Sequence, residues 1–205
     1  MKNGMWGLCV CVMLGAYSAS AQGSFIYHKG RAKNNAVSAY LTGMAYFWGN
    51  KTGEVKDRRV IYPVTMLEWN GMAKDLPPKN LNYAKQYLVH ATKLRDLRAM
   101  ATVGNFHLRR LHGMNSPKTG LSLLMTAAQN GLPHAMQSLA YAYGKGGAIG
   151  FDPVKNLGWT ILAARKGHPV ADIQVTELAL SGDISDAGRN RAYAMAEAFA
   201  KKYGL

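Results

Sequence analysis

The sequence predicts an all-α fold, an α-solenoid of antiparallel helix pairs with one irregular insertion. Three observations carry this reading. First, Ala127-Ala128, Gly131 and Ala135 return 36 residues later as Ala163-Ala164, Gly167 and Ala171. A fixed period of this size marks stacked helical units. Second, Asn80, Ser116 and Asp152 are spaced by 36 residues as well. All three are residue types whose side-chain oxygen satisfies the free N–H groups at a helix start. Third, small residues recur at fixed places beside large ones, which lets neighbouring helices approach closely. No single pair can bury its apolar face, so several must stack.

The elements follow in order. Residues 22–33 read as a short basic lead. Asn34–Trp48 places Val37, Tyr40, Leu41, Met44, Ala45 and Phe47/Trp48 at three- and four-residue spacings, the stripe of an amphipathic helix. Asn34 or Asn35 can cap it, and Gly49-Asn50 ends it. The insertion, about 51–78, is punctuated by Gly53, Gly71, Pro63 and Pro77-Pro78. Within it Arg59–Leu67 is β-branched and apolar, suiting a short strand or an extended segment, and Pro63 demotes it as a central strand. From Asn80 onward one helix, A, recurs at about 80–93, 116–129, 152–165 and 187–202. A second, B, recurs at about 97–111, 133–144 and 169–181. Pro117 and Pro153 occupy the favoured first helical position, and Gly131, Gly167 and Gly182 punctuate the turns. Residues 34–205 thus form one repeat domain.

Composition narrows the setting. Lys and Arg number 25 against 11 Asp and Glu, a formal net charge of +14. Such a balance favours acidic partners or anionic surfaces, and equally suits a merely basic solvated surface. At the N-terminus, Lys2 precedes an apolar run, Trp6–Ala16, too short to span a bilayer. Ser18-Ala19-Ser20-Ala21 follows, with the small residues a signal peptidase selects. Residues 1–21 are therefore expected to be a signal peptide, removed before Gln22. Its loss takes Cys9 and Cys11 with it and leaves no integral membrane segment. The mature chain is then expected to be exported, to the periplasm or beyond the cell.

Catalytic patterns are lacking. His134 and His168 occupy equivalent A-to-B turns, which suits turn residues better than ligands. His107 and His112 are five apart and do not share a helix face. No HExxH and no metal-spaced Cys/His cluster occurs. Gly144–Gly150 follows a helix rather than a strand and lacks phosphate-loop spacing. No close acidic pair suggests glycosidase chemistry, and there is no GxSxG. These readings imply no metal, no cofactor and no enzymatic activity. Basic residues are not interleaved with surface aromatics, so nucleic acid is not the expected partner.

The third unit runs through Leu139, Tyr143, Gly144, Gly146, Asp152, Trp159, Ala163, Ala164, Gly167, His168 and Ala171. In that order the residues resemble the Sel1-like repeat, a relative of the tetratricopeptide repeats. Val103-Gly104 and Leu41–Gly49 look like parts of further copies. The resemblance implies that Leu139, Tyr143, Gly144, Asp152, Trp159, Ala163, Ala164, Gly167 and Ala171 are structural repeat residues. It also implies a non-enzymatic scaffold, of the exported kind associated with bacterial envelope regulators, host-interaction factors and inhibitors of toxic effectors. A regulator or immunity-type inhibitor of one acidic protein partner is expected. The alternative, an envelope enzyme or accessory subunit acting on cell-wall polymer, needs an acid/base pair the sequence does not present.

Partner-binding candidates are the side chains the repeat leaves over. Tyr40, Tyr46 and Trp48 on the first helix could line an exposed groove. Arg95, Arg98, Arg109 and Arg110 form the densest basic stretch. They either complement the dipoles of helix C-termini or meet an acidic partner.

Overall fold

The computed structural model describes residues 24–50 and 63–205, and every regular element among them is helical. The expected signal peptide, both cysteines and the 51–62 part of the insertion lie outside the described residues. Two compact units divide the chain, Met1–Tyr87 and Leu88–Leu205.

In the first unit, helix α1 (Phe25–Arg31) is capped by Ser24, whose hydroxyl accepts from the Tyr27 N–H. The stretch read as a basic lead therefore carries a helix. Phe25 and His28 are buried, and the helix packs against α2 (Ala36–Trp48). Asp75 joins its N-terminus, accepting from the Phe25 N–H at 2.9 Å and the Ile26 N–H at 3.2 Å. A carboxylate there complements both the free N–H groups and the helix dipole. Helix α2 is capped by Asn35 and buried from Ser38 to Tyr46. It ends at Gly49, whose φ is +72° and where a Cβ would lie 2.5 Å from the Lys79 nitrogen. No other residue fits that exit.

Part of the insertion is ordered as helix. Thr65 and Glu68 form a capping box that opens α3 (Met66–Met72), continued by a 3-10 turn at Ala73–Asp75. This corrects the extended reading of Arg59–Leu67 at its last two residues. The reason is local: the Thr65 hydroxyl takes the Glu68 N–H, and the Glu68 carboxylate takes the Thr65 N–H at 2.9 Å. Trp69 and Met72 are then buried. Asn80 caps α4 (Leu81–Lys93), accepting from the Tyr83 N–H at 3.0 Å.

The second unit begins within α4. It continues with α5 (Leu97–Leu108), α6 (Pro117–Gln129), α7 (Pro133–Tyr143), α8 (Pro153–Arg165), α9 (Ala171–Leu180) and α10 (Asp186–Tyr203). Neighbours pack in sequence, α5 on α6, α6 on α7, α7 on α8, and α8 on both α9 and α10. Short turns between such neighbours give antiparallel pairs. Ser116 and Asp152 cap α6 and α8 with proline next, as the spacing predicts.

Two boundaries differ from expectation. The first B helix ends at Leu108 rather than residue 111, because Arg110 and His112 turn left-handed, at φ +55° and +54°. The last A helix starts at Asp186, because Ser185 rather than the residue at the 36-residue position supplies the cap.

Burial follows the period. Leu88, Leu124, Thr160 and Ala196, each 36 residues apart, are wholly buried, and so are Ala99, Ala135 and Ala171. Trp159 is 5% exposed and meets Phe199 edge-on, with ring centroids 4.8 Å apart. Of the paired alanines, Ala127, Ala128 and Ala163 are wholly buried. The Asp152 N–H donates to the Tyr143 carbonyl at 2.9 Å, closing the glycine loop.

Helices α5 and α6 cross at two glycines. A Cβ on Gly120 would lie 2.7 Å from the Gly104 carbonyl oxygen, and one on Gly104 would lie 2.9 Å from the Gly120 oxygen. Both obstacles are backbone, so neither can swing aside. Alanine ordinarily gains about 1 kcal/mol over glycine inside a helix, while overpacking costs about 1–3 kcal/mol. Gly120→Ala is therefore expected to lose up to about 2 kcal/mol. Gly30→Ala, where an added Cβ meets nothing within 4 Å, should instead gain up to about 1 kcal/mol. Urea midpoints of the two variants check the opposite signs.

Candidate protein-interaction groove

The candidate site lies in the second unit, where the end of α5 faces the end of α7 and the loop after it. An open groove of about 830 Å³ is lined there by Asn105, Arg109, Arg110, Ser138, Tyr141 and Lys145, among others. Two walls build it. The C-cap of α5 is Arg109, whose N–H donates to the Asn105 carbonyl. Arg110 follows in the left-handed region. The facing wall is the glycine loop, pressed against α7 so tightly that a Cβ on Gly147 would lie 2.1 Å from the Ala142 oxygen. Tyr141 projects from α7 with 57% of its surface exposed. Its hydroxyl accepts from the Gln174 amide at 3.0 Å, and the Gln174 carbonyl accepts from Gln137 at 2.8 Å.

The groove is cationic. Arg109, Arg110 and Lys145 are all exposed. Among the described residues, no Asp or Glu lies within ion-pair distance of Arg109 or Arg110. Lys145 pairs with Asp183 at 2.9 Å, and both side chains reach solvent.

Arg110 has a further peculiarity. Its counterparts 36 and 72 residues on are Gly146 and Gly182, at φ +75° and +76°. Arg95, at φ +65°, likewise corresponds to Gly131 and Gly167, at φ +81° and +78°. The fold thus needs a left-handed residue at these turns, and other copies use glycine. A side chain there costs about 1–2 kcal/mol. Two arginines stand where the backbone alone would favour glycine, and one of them lines the groove.

The other candidates are placed differently. Tyr40 is wholly buried and Tyr46 is 7% exposed, so the exposed aromatic groove expected on that helix is absent at both. Tyr46 is enclosed by Phe25, edge-on at 5.3 Å, and by Tyr87, stacked at 5.8 Å. Trp48 is partly buried and meets Trp69 edge-on at 5.2 Å. Phe25 and Trp69 belong to helices outside the 36-residue period, which is why the sequence pattern left this face uncovered. Arg98 stands in the first turn of α5, not near a helix C-terminus, and its guanidinium lies 3.7 Å from Asp96, the cap of that helix. Arg109, by contrast, is the C-cap of α5. Lys145 and Tyr141 were missed. Lys145 was visible in the glycine loop, and comparing copies at 36 residues would have shown arginine opposite glycine.

Chemistry of other kinds finds no constellation. Among the described residues, no group of three or more His, Cys, Asp or Glu side chains could hold a metal ion. No described helix is long and apolar enough to cross a membrane.

Among solved structures the chain is similar to a Sel1 repeat protein from Oxalobacter formigenes. The likeness is 19% identity over 83% of this chain and 72% of that one, with a TM-score of 0.48. No family model matches the chain. No curated protein matches it.

Proposed function

We propose that the chain is a non-enzymatic, exported protein-interaction scaffold that docks one acidic protein partner through the cationic groove. Within that class, the reading is a periplasmic regulator or immunity-type inhibitor. The observation that carries it is Arg110. It is held left-handed, at φ +55°, where the two later copies carry glycine, and it opens onto a groove shared with Arg109 and Lys145. A residue kept against a backbone cost is expected to act through its side chain. Arginine suits the task, because its planar fork grips carboxylates and is enriched at interface hot spots. The net charge of +14 adds long-range attraction for an acidic surface. Export rests on the N-terminal pattern of Lys2, the apolar run and Ala21.

Affinity capture from an envelope extract tests the reading. The protein should retain an acidic protein that saturates at 1:1, and Arg109→Glu with Arg110→Glu should release it. A retained protein indifferent to that double variant would overturn the groove's role. Turnover of peptidoglycan by the purified protein, abolished by a point mutation, would overturn the scaffold reading.

A further inference from the structure

Asp183 stands in the turn between α9 and α10 and is the acid paired with Lys145, one of the groove's three cations, among the described residues. Its Oδ2 lies 2.9 Å from the Lys145 Nζ, with side chains 32% and 70% exposed. The pair joins the glycine loop after α7 to a turn 38 residues further along the chain. Exposed ion pairs of this kind are weak and exchange readily, because water screens them and both side chains lose freedom. The groove thus presents two arginines with no acidic partner and one lysine already holding a carboxylate.

Resting on the scaffold reading, we propose that Asp183 is an internal stand-in for the partner. The groove takes an extended, acidic peptide segment, and one of its carboxylates displaces Asp183 from Lys145 while others meet Arg109 and Arg110. A carboxylate is favoured over phosphate because the anion that Lys145 already pairs with is a carboxylate. Its uncharged lining also suits peptide, with Leu108 and Ala142 as apolar wall and a single aromatic, Tyr141. Single-stranded nucleic acid calls for successive aromatic platforms, and the groove has one. Displacement has a defined consequence. Asp183 competes with the incoming carboxylate, so it lowers affinity and discards weakly acidic segments.

The test uses a fluorescein-labelled hexaglutamate peptide and anisotropy at low salt, with the full chain. Lys145→Ala should weaken binding several-fold, and Asp183→Asn should tighten it by about two- to fivefold, the range an exposed pair permits. Glu197→Gln is the control. It adds the same charge and breaks an exposed pair, that of Glu197 with Arg165 at 2.8 Å, away from the groove, and should leave affinity within about twofold. If Asp183→Asn tightens no more than Glu197→Gln, the stand-in role is overturned, even where Arg109→Glu with Arg110→Glu still abolishes binding. If that double variant has no effect, the groove reading itself fails. Tighter binding of oligothymidylate or inorganic phosphate than of hexaglutamate would overturn the choice of carboxylate.

Discussion

Trp159→Ala is expected to cost the second unit about 3–5 kcal/mol, the range for emptying a large aromatic site in a core. Trp159 is 5% exposed and its ring meets Phe199 of α10 edge-on. It therefore contributes buried area and an aromatic pair together, the latter about 0.5–1.5 kcal/mol beyond area. The neighbours cannot close the gap easily. Next to Trp159, a Cβ added at Gly158 would already collide with the Met195 methyl, and Leu157, Ile161 and Leu162 belong to the same buried core. Trp159→Phe should recover roughly half of the loss, since it keeps an aromatic edge for Phe199. Chemical denaturation with a constant m-value checks both, and a loss under about 1 kcal/mol for alanine would contradict the placement of Trp159 as core.

The second large effect is acid sensitivity. His134 and His168 stand nearly parallel, with ring centroids 6.4 Å apart. Burial, and then the charge on His168, push His134 down to about 4 from its ordinary 6.5. Burial alone pushes His168 down to about 4. Both are therefore neutral in the fold at pH 7. In the unfolded chain they protonate near pH 6.5, so below that pH the unfolded state binds more protons and stability falls. The contribution is full above about pH 7, falls between about 6.5 and 4, and changes no further below. Each histidine should cost on the order of 2 kcal/mol by pH 5, with the share of His134 trimmed by its partial exposure. Replacing both by glutamine should flatten the slope of stability between pH 7.5 and 5. An unchanged slope would show that acid acts elsewhere.

The fold was largely legible because its signals are periodic and local. Ser116-Pro117 and Asp152-Pro153 announce helix starts by chemistry, and the alanines of Ala99, Ala135 and Ala171 repeat because three helix contacts need the same small residue. What lay outside the period was harder to read. Thr65 and Glu68 spell a capping box, yet Pro63 and the β-branched run beside it masked a helix of seven residues. Tyr46 is covered by Phe25 and Tyr87, and Trp48 meets Trp69, so no pattern within Ala36–Trp48 could disclose their surroundings. The site was half legible. Arg109 and Arg110 stood out as charge, whereas Lys145 sat in a loop the repeat already explained. Only the backbone angles show that Arg110 occupies a glycine position.

That last point allows the most direct test. Arg110→Gly removes the side chain and relieves the left-handed strain, while adding about 0.4–1 kcal/mol of unfolded-chain entropy. Stability of this variant should be unchanged or up to about 1 kcal/mol higher. Affinity for the captured acidic partner should fall about tenfold or more, as for an interface arginine. Measured side by side, unfolding free energy and dissociation constant should thus move apart, the fold holding or gaining while binding is lost. A variant that loses stability and keeps its affinity would contradict the account, making Arg110 part of the scaffold rather than of its recognition surface.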